Sequence, residues 1–187
     1  MSSVERPAVE AAIRSAFAGV RLGQGVSLRQ SAALDRQTAG LTDGEFRRLP
    51  DSEVTDDWTR VPDADMRRAA PGYLDAEALR YYLPALLLWL VDHYADEDER
   101  SRDGVFDVAL ICVLAWIAPG KEFRERHYAI FDTFTMQQRV AIAAYVDALP
   151  RLVNLRWDDP ILVERSLRDY WHRFLPNEGR ASQVAAT

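Results

Sequence analysis

Apolar residues recur at helical spacing along most of the chain, and helix-capping patterns mark several of the helix starts. A first helix is predicted over residues 4–18, because its apolar positions lie three or four residues apart and share one face. Two more are predicted over Ser27–Ala39 and Gly44–Leu49. Each starts with a capping-box pattern, in which a Ser or Thr is followed three residues later by Gln or Glu. The N-terminal part of the chain is therefore predicted to be helical.

The middle of the chain is its most apolar part. Asp75 can cap a helix over the following residues, and Pro84 then either kinks this helix or begins a new one, because proline has no N–H. Residues Ala85–Tyr94 are apolar on every face until Asp92, which is typical of a buried helix. The segment Gly104–Ala118 is also apolar, and its length favours a helix over a strand. The residues expected to be buried in these segments include Leu87, Trp89 and Leu110.

The C-terminal third continues the helical pattern. A capping box predicts a helix over Met136–Leu149, which Pro150 is expected to end. A last helix is predicted to begin at Asp159 and to stop before Pro176.

Two segments give no helical pattern. Residues 50–72 hold three prolines and a cluster of aspartates, and Trp58 and Val61 are expected to anchor them to the core. Either irregular structure or a short strand fits this segment. Residues 121–132 are mixed in character, and the pattern leaves their state open.

These elements predict an all-α fold. No pair of alternating strands and no Asn-Gly hairpin occurs in the sequence. We expect a single-domain helical bundle over residues 1–176, built around a central helix kinked at Pro84, and a disordered tail over residues 177–187.

Composition narrows the class of protein. The chain has 187 residues, of which 48% are apolar and 28% charged, so it is long enough and apolar enough for a sizeable core. Its net charge of −6 argues against a nucleic-acid-binding protein, which usually shows a basic footprint. No uncharged apolar run approaches the ~20 residues of a membrane span, and no signal-peptide pattern opens the chain. We therefore expect a cytoplasmic protein with no membrane or nucleic-acid partner.

Candidate catalytic residues are sparse. None of the three histidines has a metal-ligand spacing, and Asp92, His93 and Asp96 fit the solvated end of a helix better than a metal site or an acid–base pair. The glycine-rich loop Gly19–Gly25 precedes a helix, as an anion-binding loop does, but it lacks a Walker lysine and is interpreted as a connection. Cys112, the only cysteine, lies in an apolar segment and is expected to be a buried hydrophobe. We predict no catalytic residue, cofactor or metal, and favour a protein that is not an enzyme.

Two sets of residues are candidates for binding a partner protein. The acidic set follows the central helix and comprises Asp92, Asp96, Glu97, Asp98, Glu99 and Asp103. The aromatic set lies on the central helix and just before it, and comprises Tyr73, Tyr81 and Tyr82. Core packing is the favoured interpretation of the aromatic set, and a surface of rigid rings is the alternative.

Three segments resemble an uncharacterised family of small bacterial cytoplasmic proteins. They are YLDAEALRYYLPALLLWL at residues 73–90, WTRVP at 58–62 and FTMQQ at 134–138 with the AIAAYVDAL that follows. The resemblance covers residues 27–150 and implies no catalytic residue. Some members of this family look like small proteins found beside secreted bacterial toxins, which implies an immunity protein.

Two functions from different classes follow from the sequence. The first is a cytoplasmic protein-binding module, such as an immunity protein that neutralises a basic bacterial toxin, since a net negative charge speeds encounter with a basic partner. The alternative is a small-molecule-binding or enzymatic domain with its site near Pro84, where a broken helix exposes backbone groups to a ligand. The oligomeric state stays open.

Overall fold

All regular structure in the described part of the chain is helical. The computed structural model describes residues 5–36, 40–67, 71–94, 105–155 and 159–176. Within these ranges no strand forms, which confirms the predicted all-α class and leaves residues 50–67 and 71–72 without the short strand considered for them. The tail predicted over residues 177–187 lies outside the described residues.

The helices follow the predicted order. Those of the described ranges are α1 (Glu5–Ala16), α2 (Leu28–Asp35), α3 (Asp43–Arg48), α4 (Asp63–Arg67), α5 (Ala76–Tyr94), α6 (Val105–Ile117), α7 (Arg124–Phe131), α8 (Met136–Leu152) and α9 (Asp159–Asp169). Short 3-10 turns occur at Leu49–Ser52, Trp58–Arg60, Pro71–Tyr73 and Trp171–Phe174. The capping boxes at Ser27, Thr42 and Thr135 all form, so the caps correctly predicted where α2, α3 and α8 begin. The segment whose state was open, residues 121–132, contains α7.

Helix α5 forms the centre of the bundle. It runs without interruption from Ala76 to Tyr94 with Pro84 inside it, so the proline starts no new helix. Pro84 gives no N–H to the carbonyl of Arg80, but the helix is buried on every face around this point, and tertiary packing compensates for the lost hydrogen bond. Leu87, Trp89 and Leu110 are buried, as predicted.

Helix α8 packs against α1 and α9 and is hydrogen-bonded to α5. The Tyr145 hydroxyl on α8 donates a hydrogen bond to the carbonyl of Leu87 on α5 at 3.0 Å, inside the core. Pro150 does not end α8, contrary to the prediction, because it falls in the last turn. The Val153 N–H still reaches the carbonyl of Leu149 at 3.0 Å, so the helix closes normally beyond the proline.

The segment before α5 is irregular but firmly anchored. Trp58 is buried, and its indole N–H donates to the carbonyl of Phe17 at 2.8 Å, tying the segment to the end of α1. Val61 is also buried. Both anchors predicted from the sequence are therefore confirmed.

Candidate functional site

The glycine-rich loop Gly19–Gly25 holds carboxylates of the same chain rather than presenting an open anion site. The Gln24 N–H donates to the Glu77 carboxylate at 3.2 Å, and the Val26 N–H donates to the Asp75 carboxylate at 3.1 Å. These amides would be the donors to a bound anion. Their use within the chain supports the interpretation of the loop as a connection.

Asp75 joins this loop to the first turn of α5. One oxygen of its carboxylate caps the helix by accepting from the Ala78 N–H at 2.9 Å, and the other accepts from Val26. Gly25 packs directly on this turn, since a Cβ at that position would lie 2.7 Å from the backbone nitrogen of Ala78. The start of α5 therefore depends on both the cap and a glycine that lets the two backbones approach.

Replacing Asp75 with alanine is expected to lower the free energy of unfolding by about 1–2 kcal/mol, because the change removes a helix cap. The N–H of Val26 also loses its partner. Urea denaturation followed by circular dichroism measures the loss. Asp75→Asn is the control, since its amide oxygen keeps the cap. Equal midpoints for the alanine variant and the wild-type protein would show that Asp75 does not hold this junction together.

Two polar side chains at the end of α5 are paired with side chains of neighbouring elements. Asp92 is exposed and bonded to the Arg6 guanidinium on α1. The His93 ring lies against Trp89 and places Nε2 3.4 Å from a carboxylate oxygen of Asp63. In the part of the chain that the structure describes, no three His, Cys, Asp or Glu side chains are placed to hold a metal ion.

The acidic set is described only at its first member. Asp92 pairs with Arg6, as described above. The other members lie outside the described residues: Asp96, Glu97, Asp98, Glu99 and Asp103. Their role in binding a basic partner stays a prediction.

The three tyrosines of the aromatic set are not equivalent. Tyr81 and Tyr82 are buried, and their hydroxyls donate to the Val54 carbonyl and the Glu53 carboxylate, both at 2.8 Å. Burial raises the pKa of both hydroxyls, so both stay protonated. These two rings belong to the core, which corrects the alternative that they form a binding surface. Tyr73 is 50% exposed and is the member that a partner can reach.

Cys112 is only half-buried, which corrects the expectation of a buried cysteine. It lies on α6 beside Ile111, whose side chain is 60% exposed. Burial is the main cause that raises the pKa of the thiol, and the negative charge of Asp35 adds to it. A raised pKa leaves little thiolate at neutral pH, which argues against a nucleophilic role.

An open cleft of about 390 Å³ lies beside α2. Its lining comes from α2, the residues before and after α3, and α4: Leu28, Arg29, Ala32, Ala33, Arg36, Leu41, Leu49 and Asp65. The floor is apolar, because five of these eight side chains are Leu or Ala. An apolar floor with a few polar groups at the edge is the usual form of a ligand or peptide site. We name this feature the α2 cleft.

Two arginines lie at the edge of the α2 cleft. Arg29 lies 3.9 Å from both Glu53 and Asp65, so its charge is shared between two carboxylates. Arg36, at the end of α2, is exposed and makes no ion pair with any residue that the structure describes. The lining carries two positive charges and one negative charge, so it is net basic on a chain whose total charge is −6.

A second, smaller cavity of about 180 Å³ lies over α5. Its lining includes Ala85, directly after Pro84. This is the region in which the alternative hypothesis predicted a small-molecule site. Its apolar lining includes Trp58 and Trp89, and two of its charged groups are already engaged, Asp92 by Arg6 and Asp63 by His93. Arg14 is the third charged group of the lining. The α2 cleft is therefore the better candidate site, being larger and more apolar.

Sequence reasoning missed the α2 cleft because its lining residues are far apart in the chain. The one signal lay in α2 itself. Leu34 adds an apolar side chain outside the buried face of that helix and is exposed, as is Leu41 after the next loop. Two exposed leucines so close in sequence indicate a surface beyond ordinary core packing.

Comparison with known proteins places the chain in a family but gives it no activity. No curated protein and no solved structure matches the chain. None of the helices in the described ranges is long and apolar enough to cross a membrane. The model of the family of unknown function DUF6714 matches residues 5–175, from the first residue of α1 to the turn after α9. The chain therefore belongs to DUF6714, an uncharacterised family, as the resemblance of its central segments predicted.

Proposed function

We propose that the protein is a protein-binding module whose α2 cleft receives a short apolar segment of a partner that also carries an acidic side chain. The observation that carries this proposal is the combination of an apolar floor with an arginine at its edge, Arg36, that forms no ion pair among the described residues. A helix or turn of the partner can bury apolar side chains on such a floor. Its carboxylate can then form a charge-assisted hydrogen bond with the guanidinium of Arg36.

The surface beside the cleft supports a protein partner. Leu34 and Leu41 are 40% and 42% exposed, and Leu34 lies outside the lining residues. The turn that carries the exposed Tyr73 packs against α2. Exposed apolar side chains therefore occur on elements that form or adjoin the cleft, as they do in a protein interface.

In a more specific form of the proposal, the partner is a basic bacterial toxin and this protein is its immunity protein. Its support is the net charge of −6 and the resemblance to small proteins found beside secreted toxins. Opposite charge would accelerate the encounter. In this form the acidic set around Asp92 would meet the basic surface of the toxin, while the α2 cleft would hold an apolar segment of it.

Selection from a random peptide library tests the proposal. Peptides of twelve residues displayed on phage are selected on the immobilised protein, and their dissociation constants are measured for the wild type and two variants. Ala33→Trp fills the half-buried cleft floor, whereas Ala11→Trp adds the same ring to the exposed face of α1. We expect selected peptides to combine apolar and acidic residues, and to bind Ala33→Trp at least tenfold more weakly but Ala11→Trp normally. Peptides that bind all three proteins equally would contradict the proposal.

Small-molecule binding is the second candidate, favoured by the size of the cleft, since volumes of roughly 300–1,000 Å³ are usual for such sites. Octanoate combines an apolar chain with a carboxylate and is a suitable probe. If no peptide is enriched while octanoate raises the melting temperature of the wild type but not of Ala33→Trp, the cleft is a small-molecule site.

A further inference from the structure

We infer that three arginines around the loop between α7 and α8 form a binding site for a phosphate group, either free phosphate or the phosphate of a small monoester. They are Arg80 on α5, Arg139 on α8 and Arg173 in the turn after α9. Their guanidinium groups reach two adjacent residues of the loop, Asp132 and Thr133. We name the three side chains the arginine cluster. None of them lines the α2 cleft, so the inference does not depend on the proposed function.

Two arginines of the cluster share one carboxylate. Arg173 Nη2 donates a hydrogen bond to Asp132 Oδ1 at 2.9 Å, and Arg139 Nη1 lies 3.5 Å from the same oxygen. The Tyr170 hydroxyl donates to this oxygen as well, at 2.8 Å. One carboxylate compensates one guanidinium, so this part of the cluster has one positive charge in excess.

The third arginine, Arg80, is held by uncharged groups. Its Nη2 donates to the backbone carbonyl and the hydroxyl of Thr133 at 3.0 and 3.2 Å, and its guanidinium carbon lies 5.1 Å from the centre of the Phe134 ring. The side chain is partly buried, yet no carboxylate among the described residues pairs with it. A charge that is partly withdrawn from water without a counter-charge is unfavourable, and a bound anion would offset this cost.

The cluster also has more hydrogen-bond donors than acceptors. The Nε atoms of Arg80 and Arg139 are buried and make no hydrogen bond to any residue that the structure describes. Buried donors without an acceptor are uncommon in folded proteins. The Arg139 side chain is only 19% exposed, whereas that of Arg173 is 46% exposed and opens the cluster to solvent. A ligand that brings several oxygen atoms can therefore reach the cluster and supply acceptors to its terminal nitrogens.

The carboxylates on neighbouring positions are engaged elsewhere. Asp169, at the end of α9, is bonded to Arg124 at 2.9 Å and to Arg168 at 3.2 Å. Asp75 and Glu77, at the start of α5, accept hydrogen bonds from backbone amides. None of these three carboxylates forms an ion pair with the cluster in the described part of the chain. The carboxylate described above as shared is therefore the counter-charge that the described residues give to three arginines.

The charge of the site matches a dianion. The three arginines together with Asp132 carry two positive charges. A phosphate monoester carries about −1.5 to −2 near pH 7 and has three strong acceptor oxygens. Guanidinium groups recognise such oxygens through paired N–H donors. A carboxylate ligand would bring one charge and two oxygens, so phosphate suits the cluster better. The whole chain carries −6, so its overall charge does not attract anions.

Isothermal titration calorimetry with inorganic phosphate, at constant ionic strength, tests the inference. We expect saturable binding at one site per chain, and binding of acetate at least about tenfold weaker, because acetate has a single charge. Methyl phosphate is titrated in the same way. If it binds as well as phosphate, the site takes monoesters, and if it does not bind, the site takes free phosphate.

Three variants, each lacking one guanidinium, show whether the bound phosphate occupies the cluster: Arg80→Gln, Arg139→Gln and Arg173→Gln. Each should weaken phosphate binding at least about tenfold, since each removes a charge-assisted hydrogen bond. Arg47→Gln is the matched control and should bind normally. It removes an exposed arginine from α3, which packs against α2 and the turn that follows α3. Circular dichroism checks folding, and the exposed Arg173 supplies the decisive variant if the other two do not fold.

Glu178 lies outside the described residues and is the one acidic side chain after Pro176. Phosphate is therefore also titrated into Glu178→Gln, in which this carboxylate cannot compete with it. No saturable binding by either the wild type or Glu178→Gln would overturn the inference, as would equal affinities of Arg173→Gln and Arg47→Gln. Ala33→Trp should bind phosphate normally, and Arg173→Gln should bind the selected peptides normally, so the failure of either proposal can be told from that of the other.

Discussion

Replacing Trp171 with alanine is expected to lower the free energy of unfolding by about 3–5 kcal/mol, the usual cost of deleting a large buried aromatic side chain. Trp171 lies in the 3-10 turn after α9 and is fully buried. Its indole N–H donates to the carbonyl of Ile117 at 2.7 Å, and its ring meets Phe131 edge-on with centroids 4.9 Å apart. The turn thereby ties the segment after α9 to α6 and α7.

Denaturant unfolding of Trp171→Ala and Trp171→Phe separates packing from hydrogen bonding. Phenylalanine keeps a buried aromatic ring but loses the second ring of the indole and its N–H, and the Ile117 carbonyl still accepts from the Ser166 hydroxyl at 2.6 Å. The phenylalanine variant should therefore lower the free energy of unfolding by about 1–2 kcal/mol, less than the alanine variant does. If Trp171→Ala unfolds at the wild-type midpoint, the C-terminal turn does not belong to the core.

Replacing Leu87 with alanine is expected to cost about 2–5 kcal/mol, because the side chain is completely buried in the middle of α5 and the cavity cannot collapse fully. Its backbone carbonyl accepts the hydrogen bond from Tyr145, so the neighbouring backbone is held in place. The cost should lie in the upper part of this range for that reason.

Ile161→Ala is the matched control for Leu87→Ala, since both changes shorten an aliphatic side chain on a helix. Ile161 is 61% exposed, and its truncation should change the stability by no more than about 0.5 kcal/mol. Thermal or urea unfolding of the two variants measures the difference. Equal losses in the two variants would show that α5 is not the centre of the bundle.

The helices were predictable because their signals are local. Capping boxes at Ser27, Thr42 and Thr135 depend on residues three apart, and they predicted three helix starts correctly. The burial of α5 followed from its composition alone. The two prolines show the limit of local reasoning. Pro84 lies inside α5 because packing against neighbours that are distant in sequence outweighs the loss of one backbone hydrogen bond, whereas Pro150 is tolerated because it lies in the last turn of α8.

The candidate site was less predictable, because it depends on which elements meet. Leu41 and Leu49 flank α3, while Ala33 lies on α2, and no spacing rule connects them. The tyrosines show that residues of the same type that lie close in sequence can differ in burial. Tyr73 and Tyr81 are only eight positions apart and alike in type, yet one is half exposed and the other buried. The sequence pattern predicts the helices, but which of their residues face solvent depends on tertiary packing.

Nuclear magnetic resonance mapping with a selected peptide determines whether the α2 cleft is the binding site. The peptide is titrated into ¹⁵N-labelled protein while the backbone amide signals are followed. We expect the largest shifts at Ala32, Ala33, Leu41 and Leu49, with small shifts at Ala11 and Ile161. Shifts centred on Trp58 and Trp89 in the cavity over α5, or absent from α2 altogether, would contradict it.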